Sequence, residues 1–77
     1  MYNIEIYSKD NCPYCNYAIQ KAEHMSVSGI ATYKKHMLGT DFNREELLEK
    51  FPNAKTFPQI TVNGVSIGGW TEFNKEY

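Results

Sequence analysis

Two cysteines, Cys12 and Cys15, are the residues of this sequence whose type and spacing most directly suggest chemistry. They are the only cysteines in the 77-residue chain. A disulfide between them would close too small a loop to add much stability through chain entropy. Proteins use a pair of this spacing for thiol–disulfide exchange or for binding zinc. The pair is therefore interpreted as chemical rather than structural.

The residues around Cys12 favour the thiolate that thiol–disulfide exchange requires. A free cysteine has a pKa of about 8.5 and is mostly protonated at neutral pH. Pro13 is typical of the first turn of a helix, which places Cys12 at the N-cap, where free N–H groups and the helix dipole stabilise an anion. Lys9, three residues earlier, would add a cationic neighbour. Cys15 falls one turn later on the buried side, so Cys12 is predicted to attack a disulfide and Cys15 to resolve the product.

A zinc site is the main chemical alternative. Zinc would need two further ligands, and the only histidines are His24 and His36, whose separation is larger than the histidine spacing of zinc fingers. No metal site is therefore predicted. Two incidental buried cysteines are the other alternative, and Pro13 argues against it because it marks a helix start between them.

Hydrophobic patterning predicts the elements that position the cysteines. The strands span residues 2–7, 30–38, 59–62 and 65–67, and the helices open near Pro13, Asn43 and Trp70. The first three elements form a parallel βαβ unit, and Asn63-Gly64 joins the last two strands in a hairpin. The predicted fold is α/β and thioredoxin-like, in the order β-α-β-α-β-β-α, with a four-stranded mixed sheet flanked by helices. It forms a single domain over residues 1–77.

Two details of side-chain packing also follow from the pattern. Glu5 lies in a strand with both faces covered, so Lys34 or Lys35 of the neighbouring strand is expected to neutralise it. The apolar side of the second helix is expected to consist of Leu47, Leu48 and Phe51.

Composition and charge exclude several classes of function. The net charge is −1, with eight basic and nine acidic residues, and no basic stripe suits nucleic acid. No apolar run is long enough to span a bilayer, and the first residues do not resemble a signal peptide. These features predict a cytoplasmic protein with no nucleic-acid or membrane partner. In that reducing compartment a cysteine pair is more often catalytic or metal-binding than a structural bridge.

Three motifs together resemble the glutaredoxin family over essentially the whole chain. Residues 12–15, Cys-Pro-Tyr-Cys, match the family's dithiol active-site sequence directly after a strand. Residues 56–58, Thr-Phe-Pro, are similar to the family's Thr-Val-Pro segment, whose proline is cis. Residues 68–72, Gly-Gly-Trp-Thr-Glu, are similar to the family's double glycine followed by a Thr-Asp pair.

The resemblance implies a glutathione-dependent disulfide oxidoreductase with no tightly bound cofactor and with glutathione as co-substrate. It implies a monomer that reduces glutathionylated or disulfide-containing proteins, with ribonucleotide reductase among the candidate clients. The implied glutathione-binding residues are Lys9, Tyr14, Phe57, Pro58, Gly69, Trp70, Thr71 and Glu72. The implied structural residues of the site are Pro13, Thr56 and Gly68.

Three positions depart from the family pattern or vary within it. Glu72 stands where the family usually has Asp, which alters the contact with the glutathione amine. Phe57 replaces Val, which is harmless if only its backbone binds. Trp70 occupies a variable position and is expected to shield one side of the site.

Rival functions on the same fold differ in these motifs. A redoxin reduced by thioredoxin reductase usually lacks the Pro-Tyr dipeptide and the glycine-rich glutathione site. An iron–sulfur carrier mostly has Gly or Ser after the first cysteine, where this chain has Pro13. A plain thioredoxin would have the Trp-Cys-Gly-Pro-Cys context, which is absent.

Overall fold

Four strands and three helices make up the fold, and the computed structural model describes all residues from Met1 to Tyr77. The elements are β1 (Tyr2–Ser8), α1 (Pro13–Val27), β2 (Ala31–Met37), α2 (Arg44–Lys50), β3 (Gln59–Val62), β4 (Val65–Gly68) and α3 (Trp70–Glu76). This order confirms the prediction, and the strand ends differ from it by one residue at most. None of the helices is both long and apolar enough to cross a membrane.

The strands form one mixed sheet in the order β2-β1-β3-β4. β1 pairs parallel with β2 and antiparallel with β3, and β4 pairs antiparallel with β3. The β3–β4 turn has φ of 54° at Asn63 and 82° at Gly64, the left-handed conformation that the tightest hairpin turns require. The predicted parallel βαβ unit and hairpin are therefore confirmed, and the fold is thioredoxin-like.

The main core lies between the sheet and the helices α1 and α3. Its fully buried members are Ile4, Ile6, Ala18, Ala22, Ile60 and Phe73. The two alanines let α1 approach the strands closely. Phe73 is the largest side chain with no exposed surface, and it holds α3 against the sheet. Because the glycine-rich segment leads directly into α3, this anchor also positions that segment.

The opposite face of the sheet carries a smaller cluster, made of Tyr7, Phe42, Leu47 and Phe51. Leu47 is the only buried residue of α2. The prediction that Leu48 also faces the core was wrong, since 43% of its surface is exposed. Leu48 lies about 100° around the helix axis from Leu47, and this short helix presents only a narrow stripe to the sheet.

The start of α2 carries a capping box at Asn43, near which the sequence predicted that a helix opens. The Asn43 side chain accepts a hydrogen bond from the Glu46 N–H at 2.8 Å, and the Glu46 carboxylate accepts one from the Asn43 N–H at 3.1 Å. Two N–H groups that would otherwise be unpaired are satisfied in this way. The local signal in the sequence was therefore sufficient to place this helix end.

Glu5 is paired with a histidine, and the prediction of a lysine partner was wrong. Its Oε1 lies 2.9 Å from His36 Nε2. The His36 ring stacks on Tyr7 with ring centroids 4.5 Å apart, which fixes it beside the carboxylate. Lys34 and Lys35 are exposed, and their long side chains would lose more rotamer freedom on pairing.

Truncation of the α3 anchor tests how the fold holds its last helix. Phe73→Ala is expected to lower the free energy of unfolding by about 3–5 kcal/mol, because it removes a fully buried ring and leaves a cavity. Urea unfolding followed by circular dichroism measures this, with Phe73→Leu as the milder control. A loss below about 1 kcal/mol for the alanine variant would contradict the anchoring role, being less than a buried ring costs on truncation.

Candidate active site

Cys12 is the N-cap residue of α1, as predicted. Its backbone is extended, with φ −125° and ψ 99°, and Pro13 follows in the first helical turn. The Cys15 N–H donates a hydrogen bond to Cys12 Sγ at 3.2 Å. The start of the helix therefore directs a donor at this sulfur, which is the environment that favours a thiolate once the sulfur is reduced.

The two cysteines are joined by a disulfide in the structure. Cys12 exposes 7% of its surface and Cys15 exposes 1%. Cys12 is therefore the more accessible of the two sulfur-bearing residues. Cys15 lies on the buried side of α1 with Ala18 and Ala22, as the helical spacing predicted.

The loop before β3 forms a second part of the site. The Phe57–Pro58 peptide bond is cis, as the resemblance implied. Pro58 is fully buried, and the Gln59 side chain donates to the Thr56 carbonyl at 2.7 Å, which closes the loop. The Phe57 ring is half-buried and faces the Lys9 ammonium, with Nζ 5.6 Å from the ring centroid. Lys9 is thus held over Phe57, and the expectation that it acts as a cationic neighbour of Cys12 stays a prediction.

The two glycines between β4 and α3 serve different purposes. Gly68 has φ of 107°, a conformation that other residues rarely adopt. Gly69 has an ordinary φ of −114°, and a glycine suits this position because little space is available for a side chain. A Cβ at Gly69 would lie 3.2 Å from the carbonyl oxygen of Pro58. The glycine-rich segment therefore packs directly against the cis-proline loop.

Glu72 has a structural role that the sequence analysis missed. Gly69 is the N-cap of α3 and has no side chain to cap the helix, so the Glu72 carboxylate accepts the Gly69 N–H at 3.0 Å. The available signal was a Glu three residues after an N-cap position, the second half of a capping box. One carboxylate oxygen makes this bond, and the other has no hydrogen-bond partner within the chain.

One surface groove, about 210 Å³ in volume, brings the motifs together. Its lining consists of Tyr14, Thr56, Phe57, Pro58, Gly69, Trp70, Thr71 and Glu72. Every residue predicted to bind glutathione lies on this lining except Lys9, which contacts it through the Phe57 ring. Pro13 and Gly68 lie outside the lining and shape the adjoining backbone. Neither cysteine lies on the lining, and the groove adjoins the cysteine pair through Tyr14, the residue between Pro13 and Cys15.

Tyr17 extends the wall of this groove, although the sequence analysis did not single it out. Its ring centroid lies 6.0 Å from that of Tyr14 and 5.7 Å from that of Trp70. The three rings bridge α1 and α3. The i, i+3 spacing of Tyr14 and Tyr17 was the available signal, because residues three apart on a helix are neighbours.

The largest cavity of the molecule, about 500 Å³, lies beside α2, and no residue of the three motifs lines it. It is bordered by Tyr7, His36, Phe42 and Leu47, with acidic residues and Lys50 at its rim. No three His, Cys, Asp or Glu side chains are grouped so that they could hold a metal ion. The convergence of the three motifs at the smaller groove therefore identifies the candidate active site better than cavity size does.

A thioredoxin-like fold with a Cys-Pro-Tyr-Cys pair at the start of its first helix defines a thiol–disulfide oxidoreductase. The sequence matches the glutaredoxin family over residues 4–67, and the chain belongs to that family. It is 38% identical over 69 residues to glutaredoxin 3 of Escherichia coli strain K12, an alignment that covers 90% of this chain and 78% of the relative.

Solved structures agree with this assignment. The reduced form of Escherichia coli glutaredoxin superposes with a TM-score of 0.82 at 30% identity, covering 95% of this chain and 89% of the other. The oxidised form superposes with a TM-score of 0.76, with the same identity and coverage. The fold prediction and the family resemblance are both confirmed.

The capping role of Glu72 leads to a stability prediction. Glu72→Ala is expected to lower the free energy of unfolding by about 0.5–2 kcal/mol, because the Gly69 N–H loses its acceptor. Glu72→Gln keeps a side-chain oxygen and is expected to lose less. Thermal unfolding measures both, since 1 kcal/mol shifts the midpoint of a domain this size by about 4–8 °C.

Glu76→Ala is the matched control for that experiment. Glu76 lies in the same helix and is exposed, and its side chain makes no hydrogen bond in the structure. If Glu72→Ala were no more destabilising than Glu76→Ala, the capping interaction would contribute nothing to stability.

Proposed function

We propose that this protein is a glutathione-dependent oxidoreductase that reduces protein disulfides and protein–glutathione mixed disulfides. The observation that carries the proposal is the groove on which all three motifs converge, with Tyr14 as the member from the cysteine motif. A peptide-sized groove adjoining the cysteine motif supports binding of a cysteinyl peptide and not merely exchange with any exposed disulfide. Glutathione is the abundant peptide thiol whose chemistry fits this groove.

One charge of each sign at the groove supports a zwitterionic ligand. The Lys9 ammonium lies over the ring of Phe57, which lines the groove, and Glu72 lines it with its carboxylate side chain. Glutathione carries a glycyl carboxylate at one end and an amino group with a second carboxylate at the other. The glycyl carboxylate would face Lys9, the amino group would face the free oxygen of Glu72, and Thr71 offers its hydroxyl and N–H to the second carboxylate.

The proposed reaction proceeds by successive disulfide exchanges. The Cys12 thiolate attacks a client disulfide, so a Cys12–client bond forms and one client thiolate leaves. The Cys15 thiolate then attacks Cys12 Sγ, which releases the second client thiolate and forms the Cys12–Cys15 disulfide. One glutathione thiolate opens that disulfide at Cys12, and a second attacks the resulting mixed disulfide, giving oxidised glutathione and the starting dithiol. For a glutathionylated client, the Cys12 thiolate attacks the glutathione sulfur and the client thiolate leaves. A second glutathione then reduces the Cys12–glutathione disulfide, so Cys15 is not needed.

Cysteine variants assign these roles. NADPH oxidation, coupled through glutathione reductase and glutathione, should follow reduction of a glutathionylated peptide by the wild type. Cys12→Ser should abolish turnover, because no nucleophile remains, and Cys15→Ser should retain it. With a protein disulfide as substrate, Cys15→Ser should lose most activity, because the mixed disulfide is not resolved within the chain.

The reductant is tested in the same experiment. A wild type that shows no glutathione-dependent turnover, but becomes active when thioredoxin reductase replaces glutathione and its reductase, would contradict the proposal. The chain would then function as a redoxin, and the groove residues would lose their assignment to glutathione.

The N-cap position of Cys12 predicts its reactivity. In a reduced Cys15→Ser variant, Cys12 should react with iodoacetamide at pH values where an ordinary thiol, with a pKa of about 8.5, is mostly protonated. The backbone N–H at position 15 and the helix start would still face the sulfur, because the substitution changes only the side chain. Free glutathione is the control thiol, and a labelling profile that coincides with it would show that the helix start does not stabilise the thiolate.

The proposed setting of the enzyme follows from this chemistry. A protein reduced by glutathione requires a reducing compartment, for which the cytoplasm is proposed. The groove and its surroundings lie on one chain, so a monomer is proposed as the working form. Ribonucleotide reductase and glutathionylated proteins are the proposed clients.

A further inference from the structure

The Lys9 ammonium is held by an aromatic ring. Its Nζ lies 5.6 Å from the Phe57 centroid, which is within the range of a cation–π interaction. This ammonium has no ion pair, since the one salt bridge of the chain joins Glu5 and His36. Phe57 is therefore the partner that determines where the Lys9 charge lies.

Phe57 is well suited to hold a charge in place because its own ring is fixed. The ring lies beside Phe42, with centroids 6.5 Å apart and planes 27° apart, and it packs on the smaller cluster. The loop that carries it is closed by the Gln59–Thr56 hydrogen bond. A free lysine side chain samples many rotamers, and contact with a fixed ring reduces that freedom.

The position of this contact bears on ligand binding. Phe57 lines the groove, and Glu72 is the only charged residue on the lining itself. Lys9 over Phe57 therefore supplies the positive charge of a groove that is otherwise neutral or negative. An ammonium above a ring face keeps N–H donors directed away from the ring, where a carboxylate can accept them.

We propose that the Phe57 side chain is a positioning residue that holds the Lys9 ammonium at the mouth of the groove, and so sets the affinity for the carboxylate of a peptide thiol. This rests on the proposed function and replaces the expectation that only the backbone of Phe57 matters. A valine at this position presents no ring face to the ammonium. Because the contact acts on binding and not on the sulfur chemistry, it should affect KM and leave kcat unchanged.

A double-mutant cycle tests the inference. Phe57→Leu is expected to raise the KM for a glutathionylated peptide by about two- to fivefold, the range that an exposed cation–π contact allows. Phe57→Tyr keeps a ring and should restore the wild-type KM. In a Lys9→Met background, Phe57→Leu should have no further effect, because the two residues act through one contact.

Lys21 provides a matched control for the loss of a charge. Its Nζ lies 5.4 Å from the centroid of Phe73, a similar contact away from the groove. Lys21→Met should leave the KM unchanged. An equal rise in KM for Lys21→Met and Lys9→Met would show that net charge, and not position, is responsible, and would overturn the inference.

A measurement without substrate separates this inference from the proposed function. The ε-methylene protons of Lys9 should be shifted upfield in NMR spectra by the Phe57 ring in the wild type and in Phe57→Tyr, and not in Phe57→Leu. An unshifted Lys9 signal, or a rise in KM on Phe57→Leu that is equally large with and without Lys9, overturns the positioning role alone. A wild type with no glutathione-dependent turnover removes the basis of both proposals.

Discussion

Gly69 lies so close to the carbonyl oxygen of Pro58 that a Cβ at position 69 would be 3.2 Å from it, a contact tight enough to require a shift of a few tenths of an ångström. This approach is the constraint on which the groove depends, because it joins the glycine-rich segment to the cis-proline loop. It also requires α3 to be docked, and the buried ring of Phe73 docks it. The Glu72 carboxylate then caps the helix beside the same glycine. A main-core residue and a surface cap therefore cooperate to hold the ligand-facing backbone in place.

The start of α1 supplies the other half of the site, and the local sequence determines most of it. Pro13 fixes the first turn, Cys12 becomes the cap, and the helical repeat places Cys15 behind it with a donor directed at the outer sulfur. The two identical side chains acquire different environments from their positions alone. This asymmetry suits thiol–disulfide exchange, because the Cys12 sulfur has to reach the client disulfide, whereas the Cys15 sulfur reacts only after the mixed disulfide has formed.

The order of elements, the hairpin and the three motifs were predictable because each rests on local signals, such as Asn63-Gly64 at a turn. Contacts between distant parts of the chain could not be predicted in this way, because no local signal specifies them. The partner of Glu5 was predicted to be a lysine and is His36, because stacking on Tyr7 holds the His36 ring beside the Glu5 carboxylate. The exposure of Leu48 and the contact of Lys9 with Phe57 likewise depend on where other elements lie. The cap formed by Glu72 is a local contact, and the sequence analysis missed its signal. For the candidate active site, the sequence predicted which residues line the groove but not the contacts between them.

The attachment of α2 has a consequence for the dynamics of the whole molecule. This helix contributes a single buried residue, Leu47, to a small cluster on the far side of the sheet from the main core. Segments held by so little buried apolar surface open at a lower free energy than the rest of a domain, as separate cooperative units. Phe57 packs on that same cluster. Transient opening of α2 therefore loosens the support beneath one wall of the groove while the cysteine-bearing helix stays folded, so the two halves of the site have different local stabilities.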